Sequence, residues 1–548
     1  MTYIIKFCVS KFVLLTVLLC LLGFLNISAQ NRQKPNIVLI VADDLGYGDL
    51  GSYGATKIAT PAIDKLAEEG MKFTNAYVAS SICSPSRYSI LTGRYSWRTR
   101  LKKGVLTWFE KPLINEDRTT LGSLLQRNGY STSVIGKWHL GFDWALNDQA
   151  PDNPEENVFS SRSIETQNYI DFSKPVQNGP LARGFDYFYG MAGSNNMIPY
   201  VFIENEKVVQ PPIAEKKWKY EFEQNIGTKA PNWDARTLDQ HYTDKAVEVI
   251  DNHFESQSDD PLFLYYPTSA IHRPCLPAVC LGDSRAGLRG DMVEEFDWIV
   301  EQVVEALKRN NAFENTLVII TSDNGPRPGD PLQALIDYKN GSLGGDVGEN
   351  FYLDYFEKEE PVYVNPEGAY MERAGWLTYG HSSTGGLMGL KADPWEGGLR
   401  VPFIVHWPDQ IEGGQNSNRM IVMTDLLETF ADIIGDELKA GEGEDSYSFL
   451  EYFQNPNAPQ IRSSMVISSG GSGALVVREG VWKYIEKSPL GSRSSYIPGA
   501  PDITEPQLFN LKEDEAEMVN LYIQKPKKAA TLKAIIDKVK KSSKSEGM

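Results

Sequence analysis

Four segments of this chain share one pattern, an unbroken apolar run that closes on polar or charged residues. They are "NIVLIVADD" from Asn36, "STSVIGKWH" from Ser131, "PLFLYYPTSAIH" from Pro261 and "TLVIITSDNG" from Thr316. Runs of this length, rich in β-branched and aromatic residues, predict strands buried on both faces, as in a largely parallel sheet. Helical patterns alternate with them. "TPAIDKLAEEGM" places Thr60 and Pro61 where an N-cap and a first-turn proline belong. "MVEEFDWIVEQVVEALKRN" lays Val293, Phe296, Val300, Val303, Val304 and Leu307 along one face. The alternation predicts an α/β fold with a large, mostly parallel sheet.

The texture changes after "TDLLETFADIIG", another amphipathic helix. "SSMVISSGGSGALVVREGVWKYIEK" and "PQLFNLKEDEAEMVNLY" predict antiparallel strands, and a basic helix near Lys527 to Lys541 closes the chain. We therefore expect a larger domain over 30–439 and a smaller C-terminal α+β domain with a short antiparallel sheet over 440–548. The basic helix reads as a solvated face. Within the larger domain, roughly 326–390 shows no clean period and reads as an irregular insert lining a cleft.

The first residues carry a separate message. Lys6 and Lys11 precede an apolar stretch from Phe12 to Leu25, and "ISA" ends at Ala29. This predicts a secretory signal over 1–29, with a lipoprotein cysteine at Cys20 as the competing reading. No later segment is apolar enough to span a bilayer, so the mature protein is expected to be exported, periplasmic or secreted, with no membrane span. Cleavage removes two lysines, taking the net charge from −18 to −20, and leaves Cys83, Cys275 and Cys280. So acidic a chain makes a poor nucleic-acid binder. In "HRPCLPAVC", Cys275 and Cys280 are close enough to form a disulfide in an oxidising compartment, which would leave Cys83 single.

Chemistry gathers at the strand ends. Asp43, Asp44, Asp323 and Asn324 are oxygen donors, whereas Lys137, His139 and His272 end the other two runs. In open α/β sheets ligands bind beyond the carboxyl ends of the strands. Packed carboxylates repel one another unless a cation lies between them, and oxygen-only donors select a hard ion, calcium or magnesium, over zinc. Turn-capping acids are the plain alternative; the second strand ending in "SDNG" favours a metal. Around them Arg87, Lys137, Lys391, His139 and His272 are five cationic or potentially cationic groups, suited to an oxyanion of tetrahedral sulfur or phosphorus.

The segment "SSICSPSRYSILTGR" adds the decisive motif: Cys83, Pro85, Arg87, then Leu91, Thr92, Gly93 and Arg94. It resembles the signature of the type I sulfatases of the alkaline-phosphatase-like superfamily. "GKWHLG", "ARGFDYFYG", "WEGGLRVPFIVHWP" and "QLFNLKEDEAEMVNLY" extend the resemblance over nearly the whole mature chain. It implies a large mixed sheet sandwiched by helices, and a Cys83 oxidised to formylglycine (3-oxoalanine) by a separate formylglycine-generating enzyme. The hydrated aldehyde would offer one hydroxyl to attack sulfur and a second to expel sulfate afterwards. It further implies that Asp43, Asp44, Asp323 and Asn324, with residue 83, hold calcium, and that Asp323 activates the attacking hydroxyl. Arg87 and Lys137 would hold the diol and ion, His139 would deprotonate the second hydroxyl, His272 would protonate the leaving oxygen, and Lys391 would grip sulfate.

The expected activity is hydrolysis of a sulfate ester on a carbohydrate. A phosphomonoester, phosphodiester or phosphonate hydrolase of the same superfamily, and a non-catalytic sulfated-glycan binder, are the alternatives. Candidate substrate contacts are Arg98, Arg100, Ser194, Asn195, Asn196, Trp376, Tyr379 and, ranked first, His381, which lies shortly before Lys391.

Overall fold

In a computed structural model, residues 34–161, 163–213, 228–273, 275–280, 284–327, 381–488 and 504–543 are described. The four apolar runs become β1 (Asn36–Ala42), β4 (Ser131–Lys137), β8 (Leu262–Pro267) and β9 (Thr316–Ser322). They lie side by side as β9-β1-β8-β4, all parallel, so their carboxyl ends share one edge. Among the described residues the sheet has ten strands, continuing past β9 through β10 (Phe403–His406), β2 (Met71–Phe73) and β11 (Gln415–Ser417). Past β4 it continues through β5 (Tyr187–Met191), β6 (Ile203–Glu204) and β7 (Lys207–Val208), whereas β3 (Ala76–Tyr77) and β12 (Ile421–Val422) pair separately. Antiparallel pairing of β10 with β9 and β2, and at β5-β6-β7, makes the sheet mixed. Every residue of β1 and β9 is buried, as expected of central parallel strands covered on both faces.

Helices cover the sheet. Helix α1 (Pro61–Glu69) and helix α3 (Leu238–Glu255) both pack on α4 (Gly287–Arg309). The predicted apolar stripe of α4 is fully internal, with Val293, Phe296, Val300, Val303 and Leu307 each inaccessible to solvent. Helix α2 (Cys83–Thr92) packs with α5 (Leu426–Ile434). All ten residues of α2 are buried. Two of its hydroxyls avoid a desolvation penalty by bonding backward, Ser89 Oγ to the Pro85 carbonyl at 3.1 Å and Thr92 Oγ1 to the Tyr88 carbonyl at 2.7 Å. Gly93, in the left-handed region at φ 61°, ends the helix.

One local expectation needs correction. Thr60 does precede α1, but its hydroxyl accepts the Gly51 N–H at 2.9 Å instead of capping the helix. The cap comes from α4, where Asp297 accepts the N–H groups of Ala62 (3.1 Å) and Ile63 (2.8 Å). A carboxylate at a helix N-terminus satisfies orphan donors whatever its position in sequence.

The C-terminal strands β13 (Ser464–Ser468), β14 (Leu475–Glu479), β15 (Trp482–Ile485) and β16 (Gln507–Asn510) form the expected antiparallel sheet, covered by α6 (Pro526–Lys541). A buried charge cluster ties this sheet to the segment leading into β10. Lys483 Nζ lies 2.9 Å from Glu396 Oε1 and 2.8 Å from Glu517 Oε1, and the Tyr77 hydroxyl donates to Glu396 Oε2 at 2.6 Å. Removing one member of such a cluster strands the others in a dry interior, at a typical cost of about 3–5 kcal/mol. Lys483→Met therefore lowers the thermal unfolding midpoint by several degrees; an unchanged midpoint would show that the cluster does not hold the sheet in place.

Candidate active site

The four strand ends deliver their side chains to one buried point. Ligand atoms of Asp43, Asp44, Cys83 and Asp323 all lie within 4.8 Å of one another, and all four residues are buried. Cys83 arrives from a different element, the first turn of α2, with Sγ 3.6 Å from Asp43 Oδ1. The three acids are matched by three buried cations. Arg87, one turn along α2 from Cys83, spans Asp323 Oδ2 (Nε 2.9 Å, Nη2 2.7 Å) and lies 3.7 Å from Asp43. Lys137, the last residue of β4, places Nζ 2.5 Å from Asp43 Oδ2, and Lys391 places Nζ 2.7 Å from Asp44 Oδ1. Burial alone would lower the proton affinity of Lys391; Asp44, Cys83 and Asp43 more than reverse this and hold it charged.

The donor set fits a hard divalent ion. Asn324 donates through Nδ2 to Asp44 Oδ1 at 2.7 Å, whereas its Oδ1 is buried with no hydrogen-bond partner among the described residues. A buried carbonyl oxygen left over beside three carboxylates is what an oxygen-ligated cation would use. The Cys83 thiol is a poor nucleophile as it stands, because burial pushes it up to about 12, only partly offset by Lys137 and Lys391.

Both histidines are neutral and oriented. His139 Nε2 lies 2.9 Å from the Leu106 carbonyl and so carries the proton, leaving buried Nδ1 without a partner among the described residues. His272 Nδ1 sits 2.7 Å from the Arg273 carbonyl and 3.0 Å from Asn195 Oδ1, so its lone pair is on Nε2, 3.9 Å from Asp44. Burial, followed by the nearby cations, takes both rings well below the usual imidazole range. Asp44 (φ 70°), His139 (φ 56°) and Ala392 (φ 75°) all adopt left-handed backbone. For residues with a Cβ this costs roughly 1–3 kcal/mol each, and such strain clusters where side chains must be aimed.

A surrounding layer, not read from the sequence, fixes this cluster. Asp49 accepts from Arg289 through both oxygens at 2.7 Å and lies 2.9 Å from His381 Nε2. Burial opposes its ionisation, but Arg289 and His381 prevail and hold it at about 2. Arg289 also donates to the Asp44 carbonyl at 3.1 Å, which couples the pair to the acid cluster. Gly46 and Gly48 are required here, because a Cβ on them would fall 1.9 Å from the Ser383 carbonyl and 2.4 Å from the Gly385 nitrogen. Asp239, pushed up to about 7 by burial, accepts the Ser269 N–H at 2.7 Å and anchors the loop that carries His272. Arg289 was detectable in sequence: it lies one turn before Val293, a charge on an apolar stripe.

The expected substrate contacts fare differently. Ser194 and Asn195 reach the cluster but brace its side chains, Ser194 Oγ accepting from Lys137 Nζ at 3.3 Å and Asn195 bonding His272. Asn196 is buried beside them. His381 faces Asp49. Arg98 is committed to Asp445 and to the Ser542 carbonyl, and Arg100 is exposed and donates to the Lys111 carbonyl at 2.6 Å. Trp376 and Tyr379, with most of the irregular insert, lie outside the described residues. The expected disulfide is not formed. Buried Cys275 lies beside Arg289, whereas the 278–280 segment is held by Glu295, which accepts the Ala278 N–H at 2.6 Å, so the two residues answer to different partners.

A family model described as Sulfatase matches residues 35–435. Over 550 residues the chain is 28% identical to an N-acetylgalactosamine-6-O-sulfatase of Bacteroides thetaiotaomicron, with 94% of each chain covered. It is 28% identical to human arylsulfatase D, covering 78% of this chain and 70% of that one. A solved Bacteroides thetaiotaomicron structure, described under the metabolism of multiple glycosaminoglycans, has a TM-score of 0.74 at 28% identity, covering 93% of this chain and all of that one. A Pseudoalteromonas sulfatase, PsFucS1, has a TM-score of 0.64 at 25% identity, with 95% and 93% covered.

The elevated thiol affinity for its proton carries a prediction. At pH 8 a group near 12 is about 10⁻⁴ thiolate, so unmodified Cys83 resists iodoacetamide in the folded protein and alkylates in denaturant. Peptide mass spectrometry reads this directly, and rapid labelling in the native state would contradict the description.

Proposed function

The chain belongs to the sulfatase family, and from that premise we propose that it hydrolyses a sulfate ester on a carbohydrate, a 6-O-sulfated N-acetylhexosamine being the first substrate to test. The names of the relatives support this choice. The observation that carries it is the buried Cys83 inside an acid cage matched by Arg87, Lys137 and Lys391. The catalytic domain would span 30–439 and the C-terminal subdomain 440–548. Export would follow from the signal reading of 1–29; among the described residues, no helix is long and apolar enough to cross a membrane.

In this reading Asp43, Asp44, Asp323 and Asn324 hold calcium, and residue 83 becomes formylglycine through a maturation enzyme. Together these groups would supply a hydrated aldehyde as nucleophile and Lewis-acid stabilisation of charge on sulfate. The remaining side chains divide the work by position. Arg87 and Lys137 offset the acids, so that an anion can approach a cluster that would otherwise repel it. Lys391, fixed by Asp44, points a full charge at the sulfate oxygens. Asp323 would be the base for the attacking hydroxyl. His139, neutral with a buried Nδ1 that has no partner among the described residues, would take a proton from residue 83. His272 is the candidate proton donor to the leaving alcohol. Its affinity for a proton is suppressed first by burial and then by Lys391 and Lys137, and a bound anion offsets the part the two lysines impose.

Matured enzyme is expected to release sulfate from 6-O-sulfated N-acetylgalactosamine and to leave an aryl phosphate almost untouched. A preference for the phosphate would overturn the reading in favour of the phosphoester alternative. Lys391→Ala is expected to reduce kcat/KM about 10²–10³-fold, the usual cost of losing one transition-state charge partner, while the purified variant remains folded by circular dichroism. Activity within twofold of wild type would remove Lys391 from the site.

A further inference from the structure

Arg94, Arg98, Lys102, Glu486 and Lys540 line a cavity of about 500 Å³ that the reaction above does not use. Four of these residues are cations and one is an acid, on a chain whose net charge is −18. Arg94 lies 3.3 Å from Glu444, Arg98 pairs with Asp445 at 2.9 Å, and Lys540 reaches Glu486 at 3.0 Å. Lys102 differs. Among the described residues no carboxylate lies within ion-pairing distance of it, and its ammonium donates only to the Trp97 carbonyl. Burial, Arg94 and Arg98 together lower its affinity for a proton, so an arriving anion relieves a like-charge conflict already present.

Two adjacent segments of the chain run from the cavity's lining to the catalytic cluster. From Lys102 the chain runs four residues to Leu106, at most about 14 Å even if fully extended, and the Leu106 carbonyl holds His139. Lys102 and Lys103 are exposed along this run, and Gly104 and Val105 are half-buried. Beside it the turn around Gly473 is joined to both ends: Gly104 N donates to the Gly470 carbonyl at 2.8 Å, and Gly471 N donates to the carbonyl of Ala392, next to Lys391, at 2.9 Å.

We propose that this cavity is an anion subsite for a second acidic group, sulfate or carboxylate, on the same glycan chain whose sulfate ester the catalytic cluster removes. The proposal rests on the carbohydrate-sulfatase reading and adds to it a preference for substrates with several charges. A protein of this net charge repels a polyanion at distances up to the Debye length, about 10 Å at 0.1 M salt. A local cationic cavity is the means by which such a chain could be retained. Lys102 would make the contact, with Arg98 and Lys540, already paired with Asp445 and Glu486, contributing their field.

The test compares wild type, Lys102→Gln and Lys102→Arg on two substrates: a 6-sulfated N-acetylgalactosamine monosaccharide, and a tetrasaccharide that alternates the same sugar with uronic acids. The expected result is a KM for the tetrasaccharide raised about tenfold by Lys102→Gln and largely restored by Lys102→Arg, with kcat and all monosaccharide constants unchanged. Equal effects on the two substrates, or none on either, would overturn the subsite. Calorimetric binding of the tetrasaccharide to a Cys83→Ala protein, with and without Lys102→Gln, separates the two claims. If neither substrate is hydrolysed, the carbohydrate reading fails, yet Lys102-dependent binding still supports the subsite, and binding indifferent to Lys102 overturns it.

Discussion

Three carboxylates held within a few ångströms of one another in a dry interior are the constraint around which this molecule is organised. Asp43, Asp44 and Asp323 are each fully or almost fully buried, and such groups cannot remain charged together unless positive charge is supplied close by. The fold supplies it from three places: Arg87 on a central helix, Lys137 at a strand end and Lys391 before the "WEGG" turn. These side chains meet only because β9, β1, β8 and β4 run parallel and end at one edge. Parallel order is therefore a functional requirement as well as a packing solution.

The second layer shows what keeps that arrangement fixed. Asp49 and Arg289 form a buried pair that also holds His381 and the backbone of Asp44, so a helix on the far side of the loop helps set a carboxylate in the cluster. Asp239 does the same for the loop leading to His272, and Ser194 and Asn195 fix Lys137 and His272 from the β5 side. The left-handed backbone at Asp44, His139 and Ala392 is tolerated because tertiary bonds on either side over-determine it. Rigidity of this kind suits electrostatic catalysis, in which aimed charges act without reorganising.

Much of this was legible in the chain because it depends on local periodicity. The apolar runs at Asn36, Ser131, Leu262 and Thr316 announced buried parallel strands, and their polar ends announced one shared edge. The stripe from Val293 to Leu307 announced α4, and the motif around Cys83 pointed to the family. What escaped reading depends on long-range pairing. Thr60 has the chemistry of an N-cap, yet Asp297 does the capping, because tertiary packing brought a stronger acceptor to the same N–H groups. Ser194, Asn195 and Arg98 have side chains suited to sugars, but partners distant in sequence had already claimed them. Cys275 and Cys280 are close along the chain, and nonetheless no disulfide joins them.

The central claim is that the acid cluster beside residue 83 is a divalent-cation site, and metal analysis tests it most directly. Elemental mass spectrometry of the purified protein after gel filtration should find close to one calcium per chain, and Asp323→Ala, with its fold checked by circular dichroism, should carry little or none. Folded wild-type protein that holds no divalent ion even after equilibration with calcium would contradict the account. So would an Asp323→Ala protein that keeps its full complement.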